Sequence, residues 1–219
     1  MMAAPHVIIS CGSFNPITVM HLRMFDLAKH HLRTKKNILV EKGVISPTND
    51  HYAKIKPSLS PARHRIAMIQ LALRDVDSNW IVCDDWEAKQ KDWVRTLIAL
   101  RHYQTVYGEN LRLLCGADLI ESFLVPDLWS DDHIEEILRR FGVVVVPRPG
   151  SNPWKLIYDS SKADIFKRNL NQIDIIEDHS PIDISSTCIR NAVKENRPID
   201  HLVHRDVAAY IKRHGLYKY

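Results

Sequence analysis

A histidine and an arginine each stand about one turn into a stretch that reads as the start of a helix. The first stretch is Gly12-Ser13-Phe14-Asn15-Pro16-Ile17-Thr18-Val19-Met20-His21. Thr18 is a good N-cap and puts His21 in the first turn. Pro16 keeps Asn15 extended, and Gly12 lets a ligand approach the backbone closely. The second stretch is Asp183-Ile184-Ser185-Ser186-Thr187-Cys188-Ile189-Arg190. Ser185 or Ser186 can cap it, with Ile189 and Val193 on the apolar face and Arg190 one turn in. The helix dipole disfavours cations at both positions and favours anions. Each residue makes sense if a phosphate shares the helix end and draws on N–H groups, hydroxyls, an imidazole and a guanidinium. Taken singly, His21 is equally a neutral surface histidine, and Arg190 a stray cation on a capped surface helix. Two such starts in one chain favour a nucleoside triphosphate.

The usual phosphate loops are excluded. The 219 residues hold only 7 glycines, and none are spaced as G-x-G-x-x-G or G-x-x-x-x-G-K-[ST]. No Ser-His-Asp or Cys-His pattern suggests a protein nucleophile. The cysteines Cys11, Cys83, Cys115 and Cys188 form no C-x-x-C pair. They read as free thiols, mostly buried, of a reduced compartment, so the expected location is cytoplasmic or nuclear and not secreted. The formal charge of +4 mildly favours anionic ligands. The densest basic run, Arg63-His64-Arg65, is too short for a nucleic-acid arm and reads as a solvated face. No apolar run approaches a bilayer span, and Val7-Ile8-Ile9 is too short for a signal peptide.

The elements that must position these groups alternate. Strand-like runs are His6–Cys11, Ile38–Ile45, Trp80–Cys83, Leu111–Cys115, Val143–Val146 and Ile173–Ile176. Helical periodicity covers Thr18–Arg33, Pro61–Arg74 and Trp86–Tyr103, and Asp206–His214 ends on Gly215. On that reading Trp86 and Trp93 share one helix face, with Trp86 in the core. The alternation predicts an α/β chain: a Rossmann-like, doubly wound parallel sheet with helices on both faces. Ligands are then expected at the carboxyl ends of the strands. Asp118, just past Leu111–Cys115, fits that position, though it could instead cap the next helix. With no linker or repeat, 1–219 reads as a single domain.

The two helix starts resemble the two signatures of the eukaryotic nicotinamide mononucleotide adenylyltransferases, T-x-x-H and I-S-S-T-x-I-R. The likeness runs in order through His21-Leu22-Arg23-Met24-Phe25, Ile45-Ser46-Pro47, Trp86-Glu87-x-x-Gln90-x-x-Trp93, Leu113-Leu114-Cys115-Gly116-Ala117-Asp118, Pro126-x-Leu128-Trp129 and His214-Gly215-Leu216-Tyr217. The resemblance implies transfer of AMP from ATP to nicotinamide mononucleotide, giving NAD and pyrophosphate. The mononucleotide phosphate would attack the ATP α-phosphorus in line, helped by Mg²⁺ held mainly by ATP phosphates and water. Nicotinic acid mononucleotide is an allowed second substrate, and an additional chaperone role is allowed too. A sister nucleotidyltransferase with another phosphate acceptor, such as phosphopantetheine, is the alternative.

By position, the resemblance assigns Gly12, Ser13, Phe14, His21, Ser186, Thr187, Cys188, Ile189 and Arg190 to ATP, with His21 and Arg190 at the reacting phosphates. The helix start would cradle the polyphosphate largely through N–H groups. Gly12, Ser13, Lys54, Trp93, Thr96, Gly116, Asp118, Leu128, Trp129 and Asp178 are assigned to the mononucleotide and dinucleotide. Trp93 and Trp129 would flank the pyridine ring, with Thr96 and Leu128 as its neighbours. Whether Lys54 or Lys56 meets the phosphate stays open, because the segment before Arg63 is longer than usual in the family. Cys188 stands where many relatives carry Lys. The implied partners are small nucleotides, with neither nucleic acid nor membrane, and homo-oligomerisation is left open.

Overall fold

A computed structural model describes residues 4–76, 80–178 and 183–218. Six strands form one sheet in the order β3-β2-β1-β4-β5-β6. They are β1 His6–Gly12, β2 Val40–Pro47, β3 Ile81–Cys83, β4 Leu111–Gly116, β5 Val143–Val146 and β6 Ile173–Ile175. The pairs β1·β4, β2·β3, β4·β5 and β5·β6 are all parallel, with Val7 opposite Leu111 and Leu113 opposite Val143. Sequential order with one reversal is the Rossmann arrangement. The sequence-based expectation of a parallel α/β sheet holds.

The chain divides into two compact units. The first comprises Met1–Ser10, Met24–Glu41 and Arg95–Asp183; the second comprises Cys11–Arg23, Lys42–Val94 and Ile184–Tyr219. In the first, every residue of β5 is buried, as its unalternating valines require of a strand covered on both faces. Helix α1 (Val19–Lys36) buries Phe25, Ala28 and Leu32 there, and α3 (Thr96–Tyr107) buries Leu97, Leu100 and Tyr103. Helices α4 (Ala117–Ser122), α5 (Asp131–Glu136), α6 (Pro153–Asp159) and α7 (Ala163–Arg168) complete it. In the second unit, α2 (Ala62–Ala72) buries Met68 and Ile69, α8 (Ser186–Lys194) buries Ile189, and α9 (Arg205–His214) buries Val207 and Ile211. Gly215 closes α9 at φ 60°, the left-handed cap expected from sequence.

Most element ends fall within three residues of the sequence reading, and two differences have a local cause. Strand β2 starts at Val40, because Ile38 is spent closing α1: its N–H donates to the Leu32 carbonyl at 2.9 Å. The expected helix Trp86–Tyr103 does not form as one piece. Glu87–Lys89 is a single 3₁₀ turn, Gln90 is extended, and α3 begins only at Thr96. Side chains divert the backbone. Asp84 Oδ1 accepts the Trp86 N–H at 3.0 Å, and Asn49 Nδ2 donates to the carbonyls of Ala88 and Gln90. Carbonyls engaged by an amide are poor acceptors for helical bonds. Trp86 and Trp93 therefore share no helix face, and Trp93 lies in a loop.

Candidate active site

The second unit carries the two helix starts that the sequence singles out. After β1 the chain turns through Ser13 and Phe14, whose φ of 43° is unusual for a bulky residue. Asn15 fixes the turn and is itself wholly buried. Its Nδ2 donates to the Ser58 carbonyl at 2.8 Å, and its Oδ1 accepts the Ser60 N–H at 3.1 Å and the Tyr217 hydroxyl at 2.9 Å. Burial pushes the Tyr217 phenol up to about 12, so it stays a donor at neutral pH. The peptide from Asn15 to Pro16 is cis.

Helix α1 opens with a reciprocal cap. The Thr18 hydroxyl accepts the His21 N–H at 3.3 Å, and His21 Nδ1 accepts the Thr18 N–H at 3.0 Å. This is a capping box with imidazole where Glu or Gln usually stands. A backbone N–H can only donate, so Nδ1 must be an acceptor and Nε2 must carry the ring proton. The apparent conflict with the helix dipole disappears, because the ring that fits here is neutral. Its plane is held edge-on by the Phe14 ring at 5.1 Å between centroids.

Helix α8 opens by the first of its two sequence alternatives. Ser185 is the N-cap and accepts the Cys188 N–H at 3.1 Å, while Ser186 turns away and donates to the Pro16 carbonyl at 2.8 Å. The Ile189 N–H goes to the Ser185 carbonyl at 3.2 Å. The expected cradle of N–H groups thus narrows: Cys188 and Ile189 spend theirs inside the cap, and Ile189 is fully buried. Ser186 and Thr187 remain at the helix end. Arg190 Nη1 donates to the Asn15 carbonyl at 2.9 Å and Nη2 to the Thr187 hydroxyl at 3.1 Å. Burial lowers its pKa, yet a guanidinium stays charged at any physiological pH. The loop after β1 and the start of α8 are thereby one bonded assembly carrying a fixed cation.

Lys56, not Lys54, reaches this loop: its Nζ lies 3.0 Å from the Ser13 hydroxyl, whereas Lys54 is exposed in a 3₁₀ turn. Trp93 packs against Tyr52 at 5.6 Å between ring centroids.

Sequence reasoning missed Arg65, which it read as part of a solvated face. The side chain is completely buried. It donates to the carbonyls of Ser13 at 3.0 Å, Thr48 at 2.6 Å and Ser60 at 2.8 Å, and to Asp50 at 3.1 Å. The available signal was the same one that flagged His21 and Arg190, a cation in a helix's first turn. Glu87 was also missed. It is buried, accepts from the Ser46 hydroxyl at 2.7 Å, and burial raises its pKa to about 7.

The first unit carries the other expected positions. Gly116 ends β4 where a Cβ would stand 2.5 Å from Asp118 Oδ1, so only glycine permits that carboxylate's pose. Asp118 sits in the first turn of α4 with Arg148 Nη2 at 4.0 Å; it does not cap the helix. Trp129 Nε1 donates to the Ser122 hydroxyl at 3.1 Å and its ring meets Phe123 edge-on. Arg95 Nη1 donates to the Leu128 carbonyl at 2.9 Å, tying the residue before Thr96 to the residue before Trp129. Asp178 is half-buried beyond β6. All four cysteines are free, as expected, but only Cys115 is buried; the thiols of Cys11, Cys83 and Cys115 are all pushed up by desolvation and are poor nucleophiles.

Residues 9–192 match the cytidylyltransferase-like family. Among individual proteins, the chain is 35% identical to bovine nicotinamide/nicotinic acid mononucleotide adenylyltransferase 1 over 96% of its own length and 88% of that protein. The chain belongs to this adenylyltransferase family. It is also 39% identical to a nicotinamide-nucleotide adenylyltransferase of Drosophila melanogaster, of which it spans 61%. The nicotinic acid mononucleotide adenylyltransferase of Plasmodium falciparum complexed with APC shares the adenylyltransferase fold, with a TM-score of 0.68, 17% identity and 98% coverage of each chain.

Proposed function

We propose that the protein transfers the adenylyl group of ATP to a pyridine mononucleotide, forming a dinucleotide such as NAD and releasing pyrophosphate, with residues 1–219 acting as one nucleotidyltransferase domain. The carrying observation is the bonded assembly of Asn15, Thr18, His21, Thr187 and Arg190, on a chain whose relatives bear that activity in their names. A phosphate oxygen of the mononucleotide attacks the α-phosphorus, and the bond to the β-phosphate breaks. The attacking group is already an anion, so no general base is required. What the reaction needs is alignment and donors aimed at the charge on the phosphates. His21 Nε2–H, the Arg190 guanidinium, and the Ser186 and Thr187 N–H groups at the positive end of α8 supply them. Lys56 serves the loop on its Ser13 side. In the first unit, Trp129 is the aromatic wall for the pyridine ring, Thr96 and Leu128 its neighbours, and Gly116, Asp118 and Asp178 the groups for the nucleoside hydroxyls. Trp93 is a second aromatic wall.

A Mg²⁺ ion carried by ATP would shield the charge of the phosphates, and the attack itself would still be aligned by the residues named above. Among the described residues no group of three or more His, Cys, Asp or Glu gathers. No described helix is long and apolar enough to cross a membrane.

Incubation with ATP, nicotinamide mononucleotide and Mg²⁺, followed by chromatography, is expected to yield NAD. His21→Ala should lower kcat about 100-fold, the usual cost of one donor to a developing oxyanion. NAD formation by His21→Ala at the wild-type rate would sink the assignment of that residue, and no NAD from the wild type would sink the reading.

A further inference from the structure

We propose that Arg95 makes the protein prefer the acid form of its mononucleotide, nicotinic acid mononucleotide, over the amide form. The proposal rests on the adenylyltransferase reading above and names the substrate within it. Arg95 is exposed and is the last extended residue before α3. Its Nη1 donates to the Leu128 carbonyl at 2.9 Å. Its chain neighbour is Thr96, and the neighbour of Leu128 is Trp129. The guanidinium is therefore anchored among the residues assigned to the pyridine ring. The ring wall there is rigid, because Trp129 is pinned to Ser122 through Nε1 at 3.1 Å and braced edge-on by Phe123 at 4.9 Å. A ring stacked on that wall keeps its substituent at a set place.

The two mononucleotides differ in one substituent. A carboxamide is neutral and presents an NH₂ donor beside its carbonyl. A carboxylate is an anion and only accepts. A guanidinium is a permanent cation with donors and no acceptor. Toward the acid it offers opposite charge and matching hydrogen-bond polarity, in the planar geometry that suits carboxylates. Toward the amide it offers donor against donor. It also engages the Leu128 carbonyl, a local acceptor that an NH₂ group would otherwise use. Both effects act in the same direction. Nothing in the phosphate-binding residues distinguishes the two substrates, since their phosphates and riboses are identical.

The test is steady-state kinetics with each mononucleotide at saturating ATP and Mg²⁺, for the wild type, Arg95→Gln and Arg95→Lys. Gln can still donate to the Leu128 carbonyl but carries no charge. The wild type is expected to show kcat/KM for the acid about tenfold above that for the amide, the size of one charge-assisted hydrogen bond. Arg95→Gln should erase that preference, mainly by raising KM for the acid and to a smaller degree by lowering KM for the amide. Arg95→Lys should keep part of it. Raising KCl from about 50 mM to about 500 mM should shrink the wild-type preference and leave Arg95→Gln unaffected. An unchanged ratio in Arg95→Gln overturns the proposal, as does a parallel fall with both substrates, which marks Arg95 as a loop tether only. Calorimetric titration of each mononucleotide into the wild type and Arg95→Gln supplies a readout independent of turnover. A wild type that makes no dinucleotide from either substrate overturns the broader reading instead, whatever the binding ratio.

Discussion

At the scale of the residue, the side chains that matter most are those with several partners at once. Arg65 satisfies three backbone carbonyls and one carboxylate from a fully buried position. Removing it leaves those carbonyls buried without donors, a cost of about 3–5 kcal/mol for a broken buried network. Arg65→Met is expected to lose that much in urea unfolding. Arg65→Lys should recover little, since one ammonium cannot span a planar fork's contacts. A loss below about 1 kcal/mol in either variant would contradict the assignment. The sequence hinted at His21 and Arg190 because a cation at a helix start is locally unfavourable, and the structure supplies the reasons: a neutral tautomer for one and carbonyl and hydroxyl acceptors for the other. Arg65 carried the same hint, but a run of three basic residues looks like a solvated face. Its burial depends on Ser13, Thr48 and Ser60 converging on it, and no local pattern reports that convergence.

At the scale of the element, helix starts are where the proposed chemistry is built. The α1 cap is reciprocal, so Thr18 does two jobs: it closes the helix and holds the His21 ring by its Nδ1 side. Thr18→Ala should cost about 1 kcal/mol of stability by losing the cap hydroxyl, while Thr18→Ser should keep it. Equal denaturation midpoints for Thr18→Ala and the wild type would show that the box contributes nothing. Strands were legible almost to the residue where apolar runs are bounded by turns, as at Val143–Val146. The helix joining Trp86 to Tyr103 was misread because its periodicity continued through a segment that Asn49, about forty positions earlier in the chain, unwinds through two carbonyls. Apolar spacing reports which face could be buried. It does not report a distant amide that competes for the backbone.

At the scale of the whole molecule, the parallel α/β architecture followed from the alternation of elements, and the order β3-β2-β1-β4-β5-β6 matches it. What alternation could not show was the ionisable group inside. Glu87 has a pKa raised by burial from 4.5 to about 7, so the folded protein holds a proton that the unfolded chain releases. Its contribution is fully present below about pH 4.5 and is lost as pH rises toward 7. Stability from this group therefore falls across that window and levels above it, by at most about 3 kcal/mol. Glu87→Gln should flatten that slope and unfold at higher urea than the wild type at pH 8; an identical slope in both proteins would reject it. Tyr217 raises a different matter. Its hydroxyl secures Asn15, a residue 202 positions earlier in the chain. The turn that follows α9 is thus part of what holds the loop after β1 in shape. Tyr217→Phe, which removes that hydroxyl alone, should therefore lower activity without touching the loop itself.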